Sequence, residues 1–481
     1  MVFDYWPHSL IALLEIVLIL AVIPWILMTK KDATAAVAWC LVVILVPFVG
    51  VLLFWVFGYT FVYRPLNRRR RHRRLFRTIH PPQTREAAHG AGRESKPDSA
   101  WNDLGQMALK VNAFPISDGN AVTLYHDTQQ TFDGLLEAIR TARHHVHLEF
   151  FIVHADDTGK QLLDLLAQKA REGVEVRLLV DAVGSLHLKR RALRPLKAAG
   201  GKVCAFLPLN PIQSRIRINL RNHRKIIVVD GRVGFTGGMN IGDEYLGKNA
   251  WFGYWRDSFL RLEGPAVAGL QRIFAEDWDF TCREPLNSKA YFPELPSAGE
   301  AVVQVVESGP DQQINTIREI YFAAILSARE RLWIASPYFV PDNGLLDALR
   351  LARYRGVDVR LLTIHRPDHY VSFYASRYYL TDMLAVGVKV YQYKKGMMHS
   401  KLMMVDGQWA MVGSANLDNR SLRLNFEAGC ILHTPELVAE LEAAYRRDLE
   451  ESILLDAKTF AKRSFAARLV ENACRLLSPA L

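Results

Sequence analysis

Gly173-Val-Glu-Val-Arg-Leu-Leu179 recurs almost unchanged as Gly356-Val-Asp-Val-Arg-Leu-Leu362. A helix-like stretch precedes each copy (159–171 and 344–355), and a strand-like one precedes that (147–153 and 332–336). Strand, helix and apolar β-rich strand in succession predict a βαβ unit whose two strands run parallel. Further along, Asn222-His-Arg-Lys-Ile-Ile-Val-Val-Asp-Gly231 is echoed by Met398-His-Ser-Lys-Leu-Met-Met-Val-Asp-Gly407. The histidines stand 399 − 223 = 176 residues apart, and the same offset relates Asp230 to Asp406, Gly237 to Gly413 and Asn240 to Asn416. The expectation is two α/β domains from a duplication, residues 111–290 and 291–481, each carrying one copy of the same polar constellation.

Each copy reads His-x-Lys-x4-Asp, followed by Gly-Gly-x-Asn or Gly-Ser-x-Asn. Ile226–Val229 and Leu402–Val405 are apolar runs, as expected for strands buried on both faces. Side chains two apart on a strand share a face, so His223 should point with Lys225 and His399 with Lys401. Imidazole beside ammonium calls for an anion, and a phosphate answers that need. The lysines suit holding phosphoryl oxygens and stabilising transition-state charge. One histidine can attack phosphorus while the other protonates the leaving alkoxide, with the roles reversed in the second half-reaction. Asp230-Gly231 and Asp406-Gly407 lie between β-rich runs, a hairpin signal. The two aspartates are therefore either catalytic or turn residues that fix the strand. Asn240, Ser414 and Asn416 can donate or relay hydrogen bonds to phosphate or lysine, and the glycines allow close backbone approach. No metal or other cofactor is expected, because the motifs hold neither a carboxylate cluster for Mg²⁺ nor a His-x-x-x-His pair for Zn²⁺.

The chain's 481 residues are half hydrophobic and 23% charged, which excludes a disordered chain and a fully membrane-embedded one. A net charge of +11 invites an anionic partner. Five scattered cysteines without a Cys-x-x-Cys pair argue against a disulfide scaffold or a structural zinc and suit a reducing compartment. Residues 9–28 are uncharged except for Glu15, and residues 35–57 carry no charge. Each stretch is long enough to cross a bilayer, so residues 1–60 predict a hairpin of two transmembrane helices. Arg64, Arg68, Arg69, Arg70, Arg71, Arg73, Arg74 and Arg77 follow it and outweigh the two lysines of the turn. They place the rest of the chain on the cytoplasmic side and face anionic headgroups. Residues 61–110 read as this basic juxtamembrane segment plus a linker, whose Pro-, Gly- and Ser-rich part spans 81–98. At the carboxyl end, Phe465, Leu469, Ala473, Leu476 and Leu477 fall on one helical face among cations. That face either packs on the core or lies in a headgroup layer.

The doubled His-Lys-Asp motif resembles the signature of the phospholipase D superfamily. The hairpin with Ala38-Trp39 and Pro47-Phe48-Val49-Gly50, the stretch Gly264-Pro-Ala-Val267, Asn425-Phe-Glu427 and the ending Arg475-Leu-Leu-Ser-Pro479 resemble its bacterial cardiolipin synthase branch. The resemblance covers essentially the whole chain. It implies two duplicated α/β sandwich domains packed around a shared active site, in a multi-pass protein of the bacterial inner membrane. It also implies a phosphatidyltransferase that converts two phosphatidylglycerols to cardiolipin and glycerol, with His223 as the nucleophile. Superfamily members set an acidic residue behind each histidine. By position that is Glu427 for His399, and Asp257 or Glu263 for His223. Phospholipid membrane and phosphatidylglycerol are the expected partners, and nucleic acid is not. A phospholipase D-type hydrolase of lipid or nucleic-acid phosphodiesters would use the same residues with water as acceptor, and a non-catalytic lipid scaffold is the third class. The sequence leaves the oligomeric state open.

Overall fold

Gly173 and Gly356 have φ of +90° and +91°, each just past a helix. A side chain is disfavoured there, and the turn sends the chain straight into a strand. The repeated glycine thus closes the crossover predicted from the sequence. The computed structural model describes residues 6–30, 33–55, 69–71, 73, 100–208 and 219–481. They belong to two compact units, a small one of residues 1–68 with 209–218 and a large one of 69–208 with 219–481.

In the first half of the large unit the strands are β1 (Ile116–Tyr125), β2 (His145–Phe150), β3 (Glu175–Asp181), β4 (Lys202–Phe206), β5 (Ile226–Val229), β6 (Val233–Gly237), β7 (Tyr254–Arg256) and β8 (Phe259–Glu263). The second half repeats them as β9 (Ala301–Ser308), β10 (Arg331–Ala335), β11 (Phe339–Val340), β12 (Asp358–Ile364), β13 (Lys389–Tyr393), β14 (Gly396–Met398), β15 (Leu402–Val405), β16 (Trp409–Gly413), β17 (Leu417–Asp418) and β18 (Glu427–Leu432), with β19 (Ser452–Leu454) at the edge. One 15-stranded sheet runs β4-β3-β2-β5-β6-β8-β1-β9-β18-β16-β15-β10-β12-β13-β19. The order from β4 to β1 is mirrored from β9 to β13, so the two halves meet where β1 pairs antiparallel with β9. In each half the crossover strands are parallel (β2 with β3, β10 with β12) and the motif strand is antiparallel to the first of them (β5 to β2, β15 to β10). β5 and β15 are buried along their whole length, as their apolar runs require. The α/β duplication is therefore present, with both halves built on a common sheet. Residues 100–110, at the end of the segment read as a linker, form a helix whose Leu104 and Ala108 join the second half's core with Ile317 and Ile320.

One disulfide, Cys204–Cys282, ties β4 to the end of the helix Val267–Cys282. A single pair is not a disulfide scaffold, but it departs from the cysteine pattern expected of a reducing compartment. A sequence separation of 78 carries no spacing signal, yet the fold sets the two Cα atoms 6.3 Å apart.

In the small unit the first apolar stretch is a single helix, Trp6–Thr29. The second is interrupted. A helix Ala33–Leu45 stops, Val46 takes φ −140°, and a short helix Pro47–Leu53 begins on the proline. Proline lacks the N–H that an unbroken helix would need there. Among the described residues only Leu10–Thr29 is long and apolar enough to cross a membrane as one helix, so one span of the expected hairpin is present as an unbroken helix. The two arms still pack on each other through Ile26, Ala36, Val43 and Phe54. Arg64, Arg68, Arg74 and Arg77, turn residues 31–32 and linker residues 81–98 lie outside the described residues.

Candidate active site

The two motifs are built by exchange between the halves. Just before β5, the His223 N–H donates to the Phe426 carbonyl at 2.9 Å, and the Phe426 N–H donates to the Arg221 carbonyl at 2.9 Å. Just before β15, the His399 N–H donates to the Arg256 carbonyl at 2.7 Å, where β7 pairs parallel with β14. Each histidine is thus held by the residue preceding an acid of the other half. His223 Nδ1 lies 3.0 Å from Glu427 Oε2, and His399 Nδ1 lies 2.7 Å from Asp257 Oδ2. The pairing inferred within each half is therefore wrong: Glu427 serves His223, Asp257 serves His399, and Glu263 lies on β8 outside both pairs. A carboxylate only accepts, so Nδ1 carries the proton and Nε2 presents its lone pair.

Both histidines retain a sliver of exposure, 9% for His223 and 8% for His399, whereas Lys225 and Lys401 are buried. Each lysine ammonium donates to the carbonyl of its own motif histidine, Lys225 at 2.7 Å. Burial pulls Lys225 down to about 7 against Glu427, and Lys401 down to about 8 against Asp257. Burial likewise lowers His223, opposed by Glu427. His399 is pushed down to about 4 by burial and Lys401, against Asp257. Burial raises Glu427, but His223 and Lys225 outweigh it and hold the carboxyl below its ordinary value. Each histidine feels the other motif's lysine, as expected of one shared site. Burial pulls all four basic groups down despite Glu427 and Asp257, so an anion entering the site would raise them.

Glu427 also accepts from Ser414 Oγ and, at 3.2 Å, from Asn425 Nδ2. Asn240 Oδ1 accepts from the Ile152 N–H at 3.2 Å, and Asn416 Oδ1 is buried without a partner. Asp230 and Asp406 do other work. The Asp230 carboxylate accepts the N–H groups of Arg143, His144 and His145 at 2.7–2.9 Å, and Asp406 accepts those of Arg329, Glu330 and Arg331 at 2.8 Å. With φ of +54° and +53°, followed by Gly231 and Gly407 also at positive φ, they turn the hairpins and fasten the starts of β2 and β10. Of the two alternatives, catalytic or turn residue, this geometry favours the turn, at the far end of β5 and β15 from the histidines.

Sequence reasoning passed over several supports. Arg224, between His223 and Lys225, points the opposite way into a buried ionic cluster, reaching Asp277 and, at 3.0 Å, Glu307. Arg69 joins the same cluster through Asp277 and through Asp311 at 2.7 Å, and Arg73 through Glu307 and Glu276. Arg69 and Arg73 are 2% and 8% exposed, so these two of the eight arginines face protein acids and not headgroups. On motif 1, Asp181 accepts the Asn222 N–H at 2.9 Å while Glu149, raised to about 7 by burial, takes the Asn222 amide. On motif 2, Ser400 Oγ meets Ser258 Oγ across the halves. Only the positions of Asn222, Arg224 and Ser400 within the motifs could have signalled any of these.

A family model described as cardiolipin synthase, phospholipase D-like domain, matches residues 135–278 and again 321–449, once over each half of the exchanged site. A second, described as phospholipase D-nuclease N-terminal, matches residues 16–58. The chain belongs to the cardiolipin synthase family. Cardiolipin synthase of Geobacillus kaustophilus is 39% identical over 99% of this chain and 95% of that protein, and that of Geobacillus sp. (strain WCH70) is 40% identical over 99% and 96%. Among solved structures, phosphatidylserine synthase of Haemophilus influenzae superposes with a TM-score of 0.62 at 16% identity, covering 79% of this chain and 100% of that one, so the two share a fold.

Proposed function

We propose that the protein is a membrane-bound phosphatidyltransferase that makes cardiolipin from two molecules of phosphatidylglycerol. The observation that carries this reading is the exchange of acids, which sets two histidine–carboxylate pairs and two buried lysines around one anion site. The phosphodiester of the first lipid sits against Lys225 and Lys401. His223 Nε2, oriented through its Nδ1–H by Glu427, attacks phosphorus; the P–O bond to the glycerol headgroup breaks as a P–N bond forms. His399, held by Asp257, passes its Nε2 proton to the departing alkoxide, and glycerol leaves. His399 then takes the proton from a headgroup hydroxyl of the second phosphatidylglycerol. That oxygen attacks phosphorus, the P–N bond breaks, and cardiolipin is released. Burial disfavours protonated His399 in the empty site. The phosphodiester charge supplies the field that raises it to a competent acid. Ser414 holds Glu427.

The helix Trp6–Thr29 and its interrupted partner serve as a two-pass anchor in the bacterial inner membrane, with the catalytic halves cytoplasmic. This reading rests on the lengths of the apolar stretches and on the arginines after them. Purified protein given phosphatidylglycerol in mixed micelles should yield cardiolipin and glycerol in equal amounts. Phosphatidic acid as the sole lipid product would instead identify a hydrolase.

A further inference from the structure

The helix Phe465–Arg475 is mounted the wrong way round for a soluble protein. Its inward side is polar: Glu471, 1% exposed, bonds Arg377 at 2.8 Å and Arg463 at 3.0 Å. Arg475 Nη1 reaches the Tyr378 hydroxyl at 3.2 Å. Its outward side is apolar, with Phe465 74% exposed, Leu469 58% and Leu476 73%, and Ala473 exposed between them. Residues at i, i+4, i+8 and i+11 form one stripe along a helix, so these four make a continuous apolar strip that no described residue covers. An exposed strip of this kind marks an interaction surface.

We propose that this strip is an interfacial contact that lays the large unit on an anionic phospholipid surface and brings the site's rim to it. The proposal rests on the reading of the protein as an enzyme acting on bilayer phospholipid. Three observations choose a lipid surface over a second copy of the chain. Exposed Lys462 and Arg468 border the strip, and the chain as a whole carries +11. An anionic headgroup layer complements that rim, whereas self-association would set cation against cation. The large aromatic and aliphatic groups project outward while the charged contacts turn inward, the arrangement of a helix lying in the headgroup–acyl boundary. The strip is also tied to the segment that follows motif 2. The carbonyl of Leu481, just beyond the helix, accepts the Arg420 N–H at 2.6 Å, and Arg420 follows Asn416 by only four residues. A membrane contact at the strip is therefore coupled, through the last residue of the helix's extension, to the segment that follows motif 2.

Arg463 is unsuitable for testing this, because it holds Glu471 and Thr381 and its loss would disturb packing. Leu469 is suitable. The full-length protein carrying Leu469→p-benzoylphenylalanine is reconstituted in vesicles of phosphatidylglycerol and phosphatidylcholine and irradiated. A parallel sample carries the same residue at the exposed Lys160, on another helix. The expected result is a mass increase equal to one phospholipid at position 469, with none at position 160. Cross-linking of position 469 to a second protein chain, or lipid labelling no greater than at position 160, would overturn the proposal. The readout needs no turnover. Failure to label while cardiolipin is still made counts against the docking alone, and labelling without cardiolipin synthesis counts against the proposed reaction alone.

Discussion

His223 Nδ1 and Glu427 Oε2 are 3.0 Å apart although 204 residues separate them in the chain. With the matching contact between His399 and Asp257, this makes each motif dependent on the opposite half. Neither half holds a complete histidine–carboxylate pair by itself.

The crossing can be separated from a same-half pairing by changing the leaving group. A phosphatidyl ester of p-nitrophenol departs without a proton, so the first step should no longer need His399. Asp257→Asn should then still release a burst of nitrophenol, whereas Glu427→Gln should lose that burst. With phosphatidylglycerol both variants should fall roughly 10²–10⁴-fold. A burst lost in Asp257→Asn and kept in Glu427→Gln would reverse the assignment.

The lysines set a pH dependence. Lys225 titrates at about 7 in the empty site, and a bound phosphodiester raises that value. A group whose value rises on binding favours binding while it is protonated, that is, below its free value. KM for phosphatidylglycerol should therefore be level below about pH 7 and climb as pH rises through the values of Lys225 and Lys401. A KM independent of pH across that window in micelle kinetics would contradict the role given to the lysines.

Asp230→Ala and Asp406→Ala should act on stability. Each removes an acceptor serving three backbone N–H groups at an exposed turn, and a hydrogen bond contributes about 0.5–1.5 kcal/mol. Thermal melting should fall for both, while the folded fraction at low temperature keeps its turnover. A normal melting temperature with abolished turnover would return these residues to the chemistry.

The ionic cluster behind motif 1 sets where the chain can be shortened. Removing residues 1–60 should leave the large unit folded. Extending the deletion past Arg73 strips Arg69 and Arg73 from Asp277, Glu307 and Asp311, and breaking a buried pair costs about 3–5 kcal/mol. The longer truncation should melt lower and lose activity even toward micellar substrate. Equal stability of the two truncations would show that the cluster does not need those arginines.

What could be read in the sequence followed from locality. The βαβ units, the repeated glycines and the Asp-Gly turns are decided within a few residues, and each stands where its pattern places it. The partners of His223 and His399 are not local. They are chosen by the contact of residue 222 with 426 and by the pairing of β7 with β14, which no spacing announces. Arg69 and Arg73 look like any juxtamembrane basic run until the fold supplies buried acids for them. The amphipathic pattern at Phe465–Arg475 located a face correctly but not its direction, because Glu471 finds two arginines inside.

The central claim is one site in which His223 carries the phosphatidyl group. It is tested most directly by quenching the full-length protein during turnover with phosphatidylglycerol, at a pH that preserves phosphohistidine, and mapping the adduct by mass spectrometry. The account predicts a phosphatidyl group on the peptide containing His223, absent from His223→Ala together with cardiolipin formation. An adduct on His399 alone, or sustained cardiolipin synthesis by His223→Ala, would contradict it.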